Sequence, residues 1–505
     1  MRPAALLACA AAALCLSLPA AAGATPGQRT MVEDTAVLFL RGPEARAAAL
    51  DEMRALGTDI VKLRVQWGLL APDPTNETRP EFDAADPAAY PPGAWDVLDE
   101  IVRQVTVRGM RPFLMLSPPG PEWATDRGEQ AGHPGVLNPD PREFGAFARA
   151  LGTRYSGSYL GLPRVSMWSL WNEPNHPQFL QPLGRRRVPV AAHIYRNLYV
   201  EAQRGLAETG HARDTVLFGE ILPIGQRRIG PLNTIRPILF LREMFCLDSR
   251  YRPYRGSAAR ARGCSPFPRI VTSGFAYHAY TRPTGPRTVP PHPDDATIGQ
   301  IGRIERALDL IARTGRVRRR LPIYNTEFGL QSDPPDCVGF GAPLDLQAEY
   351  INEAELMSFR SRRVRTYSNY LLIDDPVLLE HPPGSNARYG LFQTGLKFGV
   401  NALRCESPTI RFEYGEEKPA YAAFRTPLYV TRTGRRAVEV FGRARPMGRT
   451  PVRIEILRGS RVVRRVTARG YFRTRIRANP GGTWRLRWSR DGTVFESRAA
   501  KARRP

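Results

Sequence analysis

Lysine is nearly missing from this chain: only Lys62, Lys397, Lys418 and Lys501 occur, within a Lys+Arg total of 73. The basic charge is therefore carried by arginine, a bias that a GC-rich genome produces without any functional demand. Cysteine is scarce too. Six are present, and no C-x-x-C pair or histidine cluster accompanies them, which excludes the usual spacings of a structural zinc site. Beyond the N-terminal segment no apolar run is long enough to cross a bilayer, so no membrane span is expected. No glycine-rich turn follows the first strand pattern, which argues against a doubly wound dinucleotide-binding sheet. No nucleic-acid recognition motif is visible either, and nucleic acid is not an expected partner.

What is present begins with Met1-Arg2, an apolar stretch from Ala4 to Leu18 and the small residues Ala20-Ala21-Ala22. This is the pattern of a secretory signal peptide over residues 1–22, too short and wrongly flanked for a span. It predicts a secreted, extracellular protein. Cys9 and Cys15 leave with it. The other four cysteines, Cys246, Cys264, Cys337 and Cys405, permit three pairings. In an oxidising compartment the expected disulfides are Cys246–Cys264, closing an arginine-rich loop, and Cys337–Cys405. Net charge is +25 and uneven. From Pro427 onward 22 Lys+Arg stand against 4 Asp+Glu, a net +18, leaving +7 for the longer remainder. Solvated strand faces account for such a tail; attraction to an anionic cell-wall polymer is the sharper reading.

The 505 residues accommodate a large domain and a small one. Strand patterns fall at Thr35–Phe39, Asp59–Trp67, Arg111–Leu116, Val165–Trp171, Thr215–Ile221, Ile270–Tyr280, Leu321–Glu327 and Arg365–Ile373. Helical patterns separate them. Between Trp95 and Arg108, for example, Val97, Leu98, Ile101, Val102 and Val105 recur at helical spacing. Lys418–Phe424 reads as a last helix. Strands alternating with helices demand a parallel sheet, and eight such units over residues 30–426 fit a TIM (β/α)8 barrel. An open doubly wound sheet is the alternative. Over residues 427–505 the texture changes to short alternating strands between Gly, Asn, Pro and Asp turns. That reads as a small antiparallel β-sandwich, which either binds carbohydrate or braces the barrel. Its Trp484 and Trp488 are four apart, so on a strand they share a face, and core packing suits them.

Two strand endings carry chemistry. The apolar run Val165–Leu170 leads into Trp171-Asn172-Glu173-Pro174-Asn175, and Leu321-Pro322-Ile323-Tyr324 leads into Asn325-Thr326-Glu327-Phe328-Gly329. A single glutamate at a strand end is usually solvated or salt-bridged. A buried Asn-Glu pair is costly unless hydrogen-bonded, so a fold has little structural reason to place one there. In a TIM barrel the C-terminal strand ends line the site. Glu173 and Glu327, on the fourth and seventh strands, can therefore face one another. His278 and Tyr280 end the sixth strand and share a face by alternation.

These motifs resemble the retaining (β/α)8 glycosidases of glycoside hydrolase clan A, cellulase-type family 5 first and β-xylosidase-type family 39 close behind. The resemblance covers roughly residues 30–426. It implies an O-glycosyl hydrolase acting on a β-linked oligo- or polysaccharide through a glycosyl-enzyme intermediate. By that resemblance Glu173 would be the acid/base and Glu327 the nucleophile. Asn172 would bond the sugar 2-hydroxyl. Arg64, on strand two where the family also carries an arginine, would hold Glu327 ionised. Tyr280 would donate a hydrogen bond to the nucleophile, with His278 beside it. Trp123 would stack on a sugar ring, with Trp67 and Trp171 as other candidates. Many clan members end strand eight with a tryptophan; here Tyr367 or Tyr370 stands in that stretch. No metal or organic cofactor is implied. The same residues would serve a transglycosylase, and a non-catalytic glycan-binding barrel is the reading from another class.

Overall fold

The structure is a computed structural model that describes residues 27–128, 134–335, 341–375, 392–399, 402–404, 407–446 and 450–505. The expected signal peptide and the expected Cys337–Cys405 pair lie outside the described residues. The Cys246–Cys264 disulfide is formed, with its Cα atoms 5.8 Å apart.

Eight strands make one parallel sheet: β1 (Arg29–Glu33), β2 (Ile60–Gln66), β3 (Arg111–Ser117), β4 (Met167–Leu170), β5 (Thr215–Ile221), β6 (Gly274–His278), β7 (Ile323–Glu327) and β8 (Thr366–Tyr370). They neighbour one another in chain order, and β8 pairs with β1. The Ile323 amide donates to the Arg363 carbonyl at 2.9 Å and the Arg365 amide to the Ile323 carbonyl at 2.8 Å. These bonds join β7 to β8 and close the sheet into a (β/α)8 barrel. The covering helices are α1 (Gly42–Ala55), α2 (Asp96–Val107), α3 (Pro141–Arg154), α4 (Ala191–Leu206), α5 (Pro237–Met244), α6 (Ile301–Arg313), α7 (Leu344–Arg360) and α8 (Pro419–Arg425). Their sequences explain them. In α6 the buried residues Ile301, Ile304, Leu308 and Ile311 recur on one face. At the start of α3 the Asp140 carboxylate accepts from the Arg142 and Glu143 amides, and Pro141 fills the first turn.

The first strand differs from expectation. Ala36–Leu40 is a wide helical turn, and the barrel begins one element earlier, at Arg29–Glu33. The cause is Asp34. Its buried carboxylate accepts from the Val37 amide at 3.0 Å and from the Leu372 and Ile373 amides at 3.2 and 3.0 Å. The chain therefore turns at Asp34 and is tied to the end of β8. An apolar run such as Ala36-Val37-Leu38-Phe39-Leu40 does not by itself separate strand from buried turn.

The barrel interior is layered. Met31, Ile60, Phe113, Met167, Leu217 and Ala276 pack together as an apolar floor, with Tyr324 against them. Two residues further along, the same faces present Glu33, Lys62, Ser169, His278 and Thr326. The layer beneath the C-terminal mouth of the barrel is therefore polar, where bulky aliphatic side chains usually fill such barrels. On β5 the pairing with β6 slips between Gly219 and Ile221. Glu220 is the extra residue of that bulge, with φ of 51° after Gly219 at 122°. A bulge re-aims a side chain, and here it sends Glu220 into the polar layer.

After the barrel, β9 (Leu428–Gly434), β10 (Ala437–Arg443), β11 (Val452–Arg458), β12 (Arg461–Ala468), β13 (Tyr471–Ile476), β14 (Thr483–Arg490) and β15 (Thr493–Glu496) are antiparallel. They form the sheets β9-β10-β13 and β12-β11-β14-β15, the latter extended by Ala500–Lys501. Trp484 and Trp488 are buried in the shared core with Val440, Ile454, Ile456 and Leu486. Arg443 and Arg445 are buried against the barrel. Both pair with Glu355 of α7, and Arg443 also reaches Asp59. No helix among the described residues is long and apolar enough to cross a membrane.

Candidate active site

The end of β4 is held in an unusual shape. Trp171 has φ of 77° and Glu173 of 39°, left-handed values that cost energy in residues with a side chain and cluster at functional sites. Neighbouring bonds hold them. The Glu173 amide donates to the Glu220 carbonyl at 2.9 Å. Asn175 accepts from the Leu222 amide at 3.0 Å and donates to the Leu222 and Ile235 carbonyls at 3.1 and 2.9 Å. The turn after β4 is thereby fixed to the turn after β5, with the Glu173 carboxyl facing the barrel axis.

Glu173 and Glu327 meet there around His278. The His278 Nδ1 lies 2.7 Å from Glu173 Oε1 and 3.3 Å from Glu327 Oε2. Its Nε2 lies 2.6 Å from Glu220 Oε2. Lys62 Nζ stands 2.7 Å from Glu327 Oε1, 3.1 Å from Glu220 Oε2 and 2.9 Å from Glu33 Oε2. Tyr280 donates to Glu327 Oε2 at 3.1 Å, and the Thr326 hydroxyl donates to Glu220 Oε2 at 2.7 Å. The coordinating atoms of Glu173, His278 and Glu327 all lie within 4.8 Å of one another.

Burial would push these carboxyls up, and neighbouring charges decide otherwise for two of them. Burial raises Glu220, but Lys62 and His278 draw it down to about 2. Burial raises Glu327, but His278 and Lys62 hold it below its ordinary value. Glu33 lies deeper. Burial wins there over Lys62 and lifts it to about 7. Burial disfavours the His278 imidazolium, yet Glu327, Glu173 and Glu220 raise it to about 10. Burial works against Lys62 in the same way, and Glu220, Glu327 and Glu33 raise it. Two buried cations therefore face ionised Glu220 and Glu327, with Glu33 able to carry a proton.

Of the residues singled out from sequence, Glu173, Glu327, His278 and Tyr280 come together. Asn172 is buried beside them, and its Oδ1 has no hydrogen-bond partner among the described residues. Arg64 does not hold Glu327 as expected. Alternation on β2 places it one step nearer the mouth, where its Nε donates to Ser117 Oγ at 3.0 Å and its guanidinium lies over Phe179. Lys62 takes the expected position. Trp123 packs edge-on to Trp67 and Phe82, with its Nε1 donating to the Pro72 carbonyl. Trp67 and Trp171 are buried in the core. Of the two tyrosines on β8, Tyr367 is buried and donates to the Ile351 carbonyl of α7 at 2.8 Å. Tyr370 lies on the site side, close enough for Glu33 and Glu327 to add to the rise that burial gives its pKa.

Lys62, Glu33 and Glu220 were not singled out from sequence. A rare lysine inside the apolar run Ile60–Val65 was the available signal. Glu173, His278 and Glu327 are close enough to hold a metal ion, but both His278 ring nitrogens already lie within hydrogen-bond distance of carboxylate oxygens, of Glu173 and of Glu220. The other grouping, His193 with Cys246 and Cys264, has its thiols in the disulfide.

No family model matches the chain, and no curated protein matches it. Solved structures do. A monomeric β-xylosidase from Caulobacter crescentus CB15 is 16% identical over 96% of this chain and 96% of its own, with a TM-score of 0.48. The GH39 enzyme from Xanthomonas axonopodis pv. citri is 15% identical over 90% of this chain and 93% of its own, at 0.47. A family 1 β-glucosidase from Thermotoga maritima is 14% identical over 78% of this chain and 96% of its own, at 0.45. These neighbours give no support to family 5 over the other families of the clan.

Proposed function

We propose that the protein is a retaining glycoside hydrolase of the clan A kind, cleaving a β-linked oligo- or polysaccharide. The observation that carries this reading is that Glu173 and Glu327 share one side of His278, its Nδ1 lying 2.7 Å from one and 3.3 Å from the other, a close approach that favours the short carboxyl separation of retaining enzymes. Retaining enzymes hold their carboxyl groups about 5–5.5 Å apart, and inverting enzymes about 6.5–9.5 Å, leaving room for a water. Glu327, ionised between Lys62 and His278, attacks the anomeric carbon. Glu173 gives its proton to the departing oxygen, then takes one from the water that releases the sugar. Tyr280 orients the nucleophile. Asn172 would bond the sugar 2-hydroxyl, and Tyr370, near Glu33 and Glu327, would lie against the sugar ring. Transglycosylation would use the same residues and differ only in the acceptor.

The N-terminal signal pattern and the Cys246–Cys264 disulfide support export from the cell. The basic antiparallel sheets support attraction to an anionic wall polymer, since Arg453, Arg461, Arg464, Arg469, Arg475 and Arg477 are exposed. Proton NMR of freshly released sugar tests the central reading. A panel of β-glycosides should give product that first appears as the β anomer and then mutarotates. First appearance of the α anomer would overturn it.

A further inference from the structure

Glu220 belongs to neither motif that marked the site, yet its carboxylate bonds to both buried cations there, Lys62 and His278. It enters from the β5 bulge, which depends on Gly219: a Cβ there would lie 2.2 Å from the Ala276 carbonyl oxygen. Its Oε2 faces His278 Nε2, the Thr326 hydroxyl and Lys62 Nζ, and its backbone carbonyl accepts from the Glu173 amide. Glu220 is fully buried and lies behind His278, out of reach of the substrate.

We propose that Glu220 is a positioning residue that keeps His278 doubly protonated, so that a single imidazolium is the counter-ion for whichever catalytic glutamate is charged. This rests on the retaining reading above. In the first step a Glu327 oxygen bonds to the anomeric carbon while the bond to the leaving oxygen breaks, and that oxygen takes the Glu173 proton. The negative charge vanishes from Glu327 and appears on Glu173. His278 Nδ1 is within 2.7 Å of one and 3.3 Å of the other, so the fixed cation serves both states without reorganising. In the second step water gives a proton to Glu173 and its oxygen to the sugar, the ester bond breaks, and the charge returns to Glu327.

The groups facing His278 come from four strands besides its own: Lys62 of β2, Glu173 beyond β4, Glu220 of β5 and Glu327 of β7, with Tyr280 following β6. Lys62 repels the imidazolium, and among the described residues Glu220 is the anion that faces Nε2. Its removal leaves that nitrogen with a cation nearby and no acceptor.

Nitrogen-15 NMR of the histidine side chains tests this without reference to turnover. In the wild-type protein both His278 nitrogens should remain protonated at pH 8. In Glu220→Gln the His278 pKa should fall by about 1–3 units, the size of shift an adjacent opposite charge produces. The alkaline fall of kcat should begin correspondingly lower with KM little changed, and Glu220→Asp should restore part of both. A neutral His278 in the wild type at pH 7 overturns the inference and leaves the glycosidase reading standing; this measurement needs no variant to fold. A Glu220→Gln protein whose His278 titrates like wild type also overturns it. A persistent imidazolium in a protein that releases inverted product overturns the retaining reading and the role with it.

Discussion

Lys62→Met removes one of the two cations that hold Glu327 ionised. Glu327 sits below its ordinary value because His278 and Lys62 outweigh burial. Losing Lys62 raises it, so the proposed nucleophile becomes protonated at higher pH. The acid limb of kcat/KM should move upward, which a pH–rate profile measures directly. Glu173→Ala removes the proposed proton donor. General acid–base groups contribute about 10²- to 10⁴-fold, so hydrolysis of glycosides with poor leaving groups should slow by that order. Aryl glycosides that leave without a proton should lose far less in their first step. An equal loss for both classes would argue that Glu173 is structural. Sequence made these two glutamates and the His-x-Tyr pair legible, because each follows an apolar strand at the end where a barrel keeps its chemistry. Lys62 was not legible, because Lys62 and Arg64 share a face of β2 and only the closed barrel decides which one reaches Glu327.

At the scale of the element, the β5 bulge is the feature that sequence reading passes over. Gly219 and Glu220 lie inside an apolar strand, and a one-residue slip against β6 is a property of two strands together. Gly219→Ala places a Cβ against the Ala276 carbonyl in a left-handed conformation. Strained backbone of this kind costs about 1–3 kcal/mol, and the bulge can relieve it only by turning Glu220. Denaturant melts should show that loss, and activity should fall with it. Full activity would mean that the bulge geometry is not needed. The same non-local logic explains the misread first strand. Ala36–Leu40 is more apolar than Arg29–Glu33, but the Asp34 carboxylate, bonded to amides at the end of β8, turns the chain before that run. The other seven strands were legible because each is a short run, mostly apolar or β-prone, that alternates with clear helical periodicity.

Across the whole molecule, burial of charge sets the response to pH. His278, raised from 6.5 to about 10, adds stability that is complete below 6.5 and lost as pH rises through about 10. Glu33, raised from 4.5 to about 7, acts in the same direction, and its share is lost as pH rises through about 7. Glu220, lowered to about 2, adds stability that is complete above 4.5 and lost as pH falls through about 2. Thermal melts should therefore peak near pH 4.5 and decline towards pH 10, first through Glu33 and then through His278, with Glu220→Gln flattening the alkaline decline. The antiparallel sheets are tied to the barrel through Glu355, which faces the buried Arg443 and Arg445. Glu355→Ala strands these arginines, a change that costs about 3–5 kcal/mol for buried pairs. It should lower the melting of the whole chain, measured by calorimetry. The expected attraction to a polyanion should weaken steeply with added salt.

Intact-mass analysis after incubation with activated 2-deoxy-2-fluoro glycosides examines the nucleophile itself. With the right sugar among glucosyl, xylosyl, mannosyl and cellobiosyl reagents, one stable adduct should appear, map to the peptide holding Glu327, and be absent from Glu327→Ala. An adduct on any other carboxylate would contradict the assignment of Glu327, and with it the two-glutamate mechanism built on these strands.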